Sequence, residues 1–242
     1  KAGPLKQAPL SPKVPLVPVK ANFARLDKRY ERIENILNEI GETEAVFSEA
    51  LALLLDLKIE NLSLSESLSK SGVVDKKSKK TLDRSVSVLR RILQVSQNFQ
   101  EGYSSLLVTN GPSSSSMDAI EDFLIQAMSS SEFQSSFSDY AFELLELNQI
   151  IIKIEAKKKG KKIHSQYIQE FNKELVQNSR RLCFINMGSV LILPIQRALK
   201  YELFVKELIK AKKEFDSIDR LSVLQEIIQD FASQTNQKLS PT

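Results

Sequence analysis

The sequence predicts an all-α fold, an elongated bundle of about six long helices, and three observations predict it. Apolar residues recur at steps of three and four over long stretches. Glycine is scarce, seven in 242 residues, which disfavours a fold built on many tight turns. No run alternates apolar and polar residues as a half-buried strand does, and no fixed-period repeat is present. Hydrophobic residues make up 42% and charged residues 26%, the balance of a globular protein with a sizeable core.

The elements follow in chain order. Residues 1–21 form a separate tail, holding five of the eight prolines: Pro4, Pro9, Pro12, Pro15 and Pro18. Proline fixes φ and removes a donor, so this tail is extended or polyproline II in character. Pro15-Leu-Val-Pro18-Val-Lys20 fits a PxxPxK pattern that an SH3 domain reads, but the pattern is short and common, and a plain linker is the simpler reading. A helical domain over 22–240 then begins. Phe23, Leu26, Tyr30, Ile33, Leu37, Ile40, Phe47, Leu51 and Leu54 form one stripe, with Glu44 filling its single gap. Residues 62–80 read as a Ser- and Lys-rich loop joined to a short helix, and a second long helix follows over about 82–107. Asn110-Gly111-Pro112 breaks the chain, and Ser113–Ser116 extend the break. Asp118, with Glu121 three residues later, reads as the N-cap of the next helix. Ser129–Ser131 interrupt it, and helix resumes to Ile154. Lys157, Lys158, Lys159, Lys161 and Lys162 read as an inter-helix loop, solvated or facing an anionic membrane. Helices over about 164–178, 180–214 and 217–237 complete the bundle.

Several chemistries are excluded or unsupported. The net charge of +4 is too small and too dispersed for a nucleic-acid binder. Cys183 is the sole cysteine and lies in an apolar stretch, so it reads as a buried, inert thiol with no intrachain disulfide. His164 is the sole histidine, which removes multi-histidine metal sites and gives no triad partner to a nucleophile; it reads as a loop or helix-start residue. No phosphate-cradling glycine motif is present, and no cofactor is expected. Carboxylate pairs such as Asp27 with Glu31, or Glu143 with Glu146, read as surface charge. No apolar run reaches the length of a membrane span. Function therefore resides in a surface.

The stretch Leu191–Leu208 is unusual because Pro194 sits inside a strong helical pattern and implies a kink. Beyond it, Arg197, Tyr201, Phe204 and Leu208 make a stripe suited to packing, and Gln196, Lys200 and Leu203 make the neighbouring stripe, either a solvated face or a presented contact surface.

This segment resembles the most diagnostic helix of the Dbl-homology family, through Leu191, Pro194, Gln196, Arg197, Tyr201, Leu203, Lys206, Glu207 and Leu208. Ile36–Phe47 resembles the family's first block, and Asn236 stands where the family has an asparagine. The resemblance covers residues 22–240 and implies a guanine nucleotide exchange factor for a Rho-family small GTPase, without covalent chemistry. It implies that Glu39 meets switch I, that Lys200 and Asn236 meet switch II, and that Gln196 and Leu203 border the same surface. It further implies a cytoplasmic location with recruitment to a membrane, or the host cytosol for a microbial effector. The competing reading is a catalytically silent helical scaffold or membrane-apposed module. Gly41 and Leu193 depart from the family pattern. Lys1 in place of an initiator Met, and an end at Thr242 before any pleckstrin-homology domain, point to an excised domain or an atypical protein.

Overall fold

A computed structural model describes residues 28–57, 63–109, 114–178, 187–213 and 217–239. The proline-rich tail with its SH3-type motif, the 110–112 break and Cys183 lie outside the described residues. Within them the chain forms eight helices and no strand. They are α1 (Lys28–Asp56), α2 (Leu64–Lys70), α3 (Lys76–Thr109), α4 (Ser114–Ser129), α5 (Ser131–Glu155), α6 (Lys158–Asn178), α7 (Met187–Lys212) and α8 (Asp219–Leu239). At 1.5 Å per residue α3 is roughly 50 Å long, which makes the bundle elongated.

The predicted stripes bury where the structure describes them, except that Leu54 is half-buried; the side chains of Phe23, Leu26 and Tyr30 lie outside the described ones. On α1, Ile33, Leu37, Ile40, Phe47 and Leu51 are in the core. An aromatic cluster joins the helices around it. Phe133 and Phe137 of α5 both pack on Tyr201 of α7 and on Phe231 of α8. Phe99 of α3 touches Tyr201 and Phe123. A second, smaller core of Leu68, Val73, Leu82, Leu147, Ile150 and Ile154 lies where α2, α3 and α5 meet.

Two boundaries differ from expectation. Helix α4 begins at Ser114, so Asp118 lies inside it and caps nothing. Asp118 instead pairs with Arg220 of α8 at 2.5 Å, and Glu121 pairs with Lys212 at 2.7 Å in the interior. Burial pushes the Glu121 carboxyl up, and Lys212 opposes that rise. From Lys158 on, the lysine run is helix rather than loop, because the turn from α5 to α6 needs only Ala156 and Lys157. His164 consequently sits within α6, nearly buried, with Nδ1 3.0 Å from the Glu155 carboxylate. Ser130 does interrupt the chain as expected, as the N-cap of α5 accepting from Phe133 N–H at 3.2 Å.

Two glycines show opposite constraints. A Cβ on Gly160 would lie 2.3 Å from the Ile154 carbonyl oxygen and 2.8 Å from Val73 Cγ1, so only glycine lets α6 fold back on the end of α5. A Cβ on Gly41 would meet the Tyr103 ring at 3.5 Å, an ordinary contact. Gly41→Ala should therefore stabilise the fold by about 1 kcal/mol through helix propensity. Gly160→Ala should cost about 2 kcal/mol or more through backbone displacement. Urea denaturation of both variants checks the pair, and equal effects would contradict the assignment.

Candidate functional site

A buried carboxylate organises the region around α7. Glu44, inside the apolar stripe of α1, is fully buried. Its Oε2 accepts from Arg197 Nε at 2.8 Å and from the Tyr201 hydroxyl at 2.7 Å, while Arg197 Nη2 lies 2.5 Å away. Its Oε1 accepts from the Ser96 hydroxyl of α3. Arg197 also donates through Nη1 to Thr43 Oγ1 at 2.6 Å and through Nη2 to the Ile40 carbonyl at 3.3 Å. Its guanidinium stacks 4.6 Å above the Tyr201 ring. Burial disfavours the Arg197 cation, but the Glu44 carboxylate more than offsets this and holds its pKa above the ordinary value. Burial drives the Tyr201 hydroxyl well above its ordinary range, and the Glu44 charge adds to that. Tyr201 therefore stays a neutral donor.

This network fixes one helix against another. Thr43, which receives Arg197, itself donates to the Glu39 carbonyl at 2.7 Å. A second rung, Arg32 to Glu207 at 2.7 Å, joins the same two helices at the surface. The two rungs pair rising numbers on α1 with falling numbers on α7, so the helices are antiparallel. The register puts Glu39 level with Tyr201, and Lys200 level with Ile40.

The sequence-predicted residues fall as follows. Arg197, Tyr201, Phe204 and Leu208 are all buried, as their stripe implies. Gln196, Lys200 and Leu203 are all exposed on the neighbouring face, Leu203 by 60%. The Lys200 ammonium lies 5.8 Å from the Phe204 ring centroid. Glu39 is exposed at the same level of the bundle. Asn236 is exposed near the end of α8, beside buried Thr235 and five residues past Phe231. Phe231 is tied to the Tyr201 level through their common neighbours Phe133 and Phe137. Glu39 and Lys200 are thus brought level with each other, and Asn236 stands about a turn and a half of helix from that level.

The structure adds two residues to this face. Ile192 and Leu199 are exposed, and with Gln196 and Leu203 they form a stripe at steps of four, three and four along α7. Their exposure was readable from the same helical wheel that exposes Gln196. Helix α7 runs through Pro194 unbroken. The Tyr140 hydroxyl donates at 2.7 Å to the Leu191 carbonyl, in the turn that the proline ring disturbs. Among the described residues no group of His, Cys, Asp and Glu could hold a metal ion. Of the Glu143–Glu146 pair, expected as surface charge, Glu143 is buried instead, and both carboxylates hold Arg84 of α3.

The family model for the RhoGEF domain matches residues 36–236, from just before Glu39 to Asn236 itself. The chain belongs to the RhoGEF domain family. Solved structures agree on the fold. The linker-DH/PH domains of p115-RhoGEF superpose with a TM-score of 0.67 at 15% identity, covering 88% of this chain and 57% of that one. The PDZ-RhoGEF DH/PH domains, in complex with GTP-gamma-S-activated RhoA, give 0.66 at 16% identity, over 89% of this chain and 56% of that one. Autoinhibited Vav1 gives 0.62 at 17% identity, over 90% and 35%. This RhoGEF domain chain therefore spans little more than half the length of the first two. No curated protein sequence matches it.

Within the RhoGEF domain, removing one partner of the Glu44–Arg197 pair leaves a buried charge unpaired. Arg197→Met should cost about 3–5 kcal/mol, and the double variant Glu44→Met with Arg197→Met should recover much of that loss. Chemical denaturation of the single and double variants measures the coupling; additive losses would mean that the pair does not act as a unit.

Proposed function

We propose that this RhoGEF domain catalyses guanine nucleotide exchange on a Rho-family small GTPase, using the face formed by Glu39, Gln196, Lys200, Leu203 and Asn236. The observation that carries the reading is the family match over 36–236. The residues that resemble the family's contact positions all lie in that stretch and are exposed.

In this reading Glu39 engages switch I, and Lys200 and Asn236 engage switch II. Leu203 and Gln196 border the contact, and Ile192 and Leu199 extend it. A carboxylate, an ammonium and a carboxamide offer opposite charge and hydrogen-bonding capacity to a folded partner, while the leucines exclude water around them. No bond is made or broken by the domain. Exchange accelerates because the face binds the nucleotide-free GTPase more tightly than the nucleotide-bound one, which shifts the population toward the empty state until nucleotide re-enters. The activity calls for a cytoplasmic location, where GTPase and nucleotide are available.

The decisive measurement is release of a fluorescent nucleotide from a panel of Rho-type GTPases. Acceleration on at least one member is expected. Glu39→Ala, or Lys200→Ala with Asn236→Ala, should return the rate to that of the GTPase alone. Because these side chains are exposed, stability should change by no more than about 0.5 kcal/mol. A panel with no acceleration and no tight binding of nucleotide-free forms would sink the reading.

A further inference from the structure

Far from Glu39 and Lys200, one end of the bundle is crowded with positive charge. Between residues 70 and 80 and between 153 and 162 stand eleven lysines against two carboxylates, Asp75 and Glu155. The fold brings the two stretches together. Lys157 Nζ donates to the Val73 carbonyl at 2.6 Å, and Gly160 lies against the Val73 side chain. Of these lysines, Lys79 pairs with Asp83 at 2.5 Å, while Lys76, Lys77, Lys158, Lys159, Lys161 and Lys162 are exposed and make no ion pair among the described residues.

These lysines stand where helix energetics disfavours them. The N-terminus of a helix carries partial positive charge, so acidic residues favour its first turn and basic residues oppose it. Helix α6 opens on lysines with no acidic residue in its first turn, whereas α3, which also opens on lysines, is capped by Asp75, whose carboxylate accepts from Ser78 N–H at 2.7 Å. The rule broken at α6, whose opening lysines have no ion pair among the described residues, marks a functional surface. Beside the lysines, on the last turn of α5, Ile152 is 67% exposed, the most exposed large hydrophobic residue of the described chain. Phe142 and Leu145 are exposed earlier on the same helix.

We propose that this end of the bundle docks on an anionic lipid surface, with the lysines facing the headgroups and Ile152 entering the interface. Charge complementarity selects the occupant. Dispersed ammonium groups attract a field of lipid phosphates without a shaped pocket, and an apolar side chain at their edge adds burial that a purely ionic contact lacks. The geometry also leaves the Glu39 and Lys200 part of the α7 face free. Tyr103 donates to the Leu37 carbonyl, so α3 passes the Glu39 region near Tyr103. Lys76 to Lys80 lie more than twenty residues earlier on that helix, about 35–40 Å away.

Vesicle co-sedimentation tests the proposal with the whole chain. The probes are phosphatidylcholine vesicles and vesicles of phosphatidylcholine with phosphatidylserine. Binding to the serine-containing vesicles alone is expected, weakening as salt rises. Replacing Lys158, Lys159, Lys161 and Lys162 with Glu should lower that binding by about tenfold or more. These substitutions favour the α6 dipole, so circular dichroism and the melting temperature should hold. Ile152→Gln should weaken binding by about threefold. Nucleotide exchange in solution should be unchanged in both variants, which separates this proposal from the exchange reading. Equal binding to both vesicle types, or undiminished binding of the lysine variant, would overturn it. So would lysine-dependent capture by a polyglutamate peptide with no response to phosphatidylserine or to Ile152→Gln, which assigns the surface to an acidic protein.

Discussion

The Glu44–Arg197 pair is the constraint on which the rest of the α7 region depends. A carboxylate in the middle of an apolar stripe is tolerable only if every acceptor position is used, because a desolvated charge without partners is among the most costly defects in a core. Here the acceptors are filled from two other helices: Arg197 and Tyr201 on α7, and Ser96 on α3. An apolar contact at this point would allow α1 and α7 to slide by a turn with little penalty. A guanidinium that meets Glu44 Oε2 through Nε and Nη2, and Thr43 through Nη1, does not, since its donors reach these acceptors in one register only. The exposed faces of α1 and α7 are therefore set relative to each other by chemistry buried between them.

This dependence explains what was legible in the sequence. The stripes on α1 and α7 were readable because helical periodicity is local, and the residues it buries, from Ile33 to Leu208, are the ones the fold buries. The exposure of Gln196, Lys200 and Leu203 follows from the same wheel. Glu44 appeared only as a gap in a stripe, because its partner lies 153 residues away and no local pattern announces it. The lysines of 158–162 were misread as loop for a related reason. Charge density marks a solvated segment, but the tight return at Gly160 is decided by what lies across it, the Ile154 carbonyl and Val73. Asp118 looked like a cap because Glu121 follows at the capping-box spacing, yet both carboxylates answer to cations on other helices, Arg220 and Lys212.

Long-range ion pairs recur at the helix contacts. Arg84 holds Glu143 and Glu146, Arg91 holds Asp139, and Arg220 holds Asp118 and Asp122. Apart from Arg84–Glu143, whose carboxylate is buried, these pairs are exposed and stabilise weakly, but they penalise wrong alignments of long helices whose apolar stripes would otherwise fit in several registers. The Tyr103 and Tyr140 hydroxyls act in the same sense, each donating to a carbonyl of a neighbouring helix, Leu37 or Leu191.

The separate small core of Leu68, Val73, Leu82, Leu147, Ile150 and Ile154 has a consequence for how the molecule opens. Its buried side chains are separate from the aromatic cluster around Tyr201, with only Leu64 packed against both cores, so the end it supports should open as a unit of its own. Amide hydrogens of α2 and the start of α6 should then exchange at lower free energy than those of α1 and α7, whose packing is tied to the Glu44 network. Stability would thus be graded along the bundle, lower at that end than in the middle.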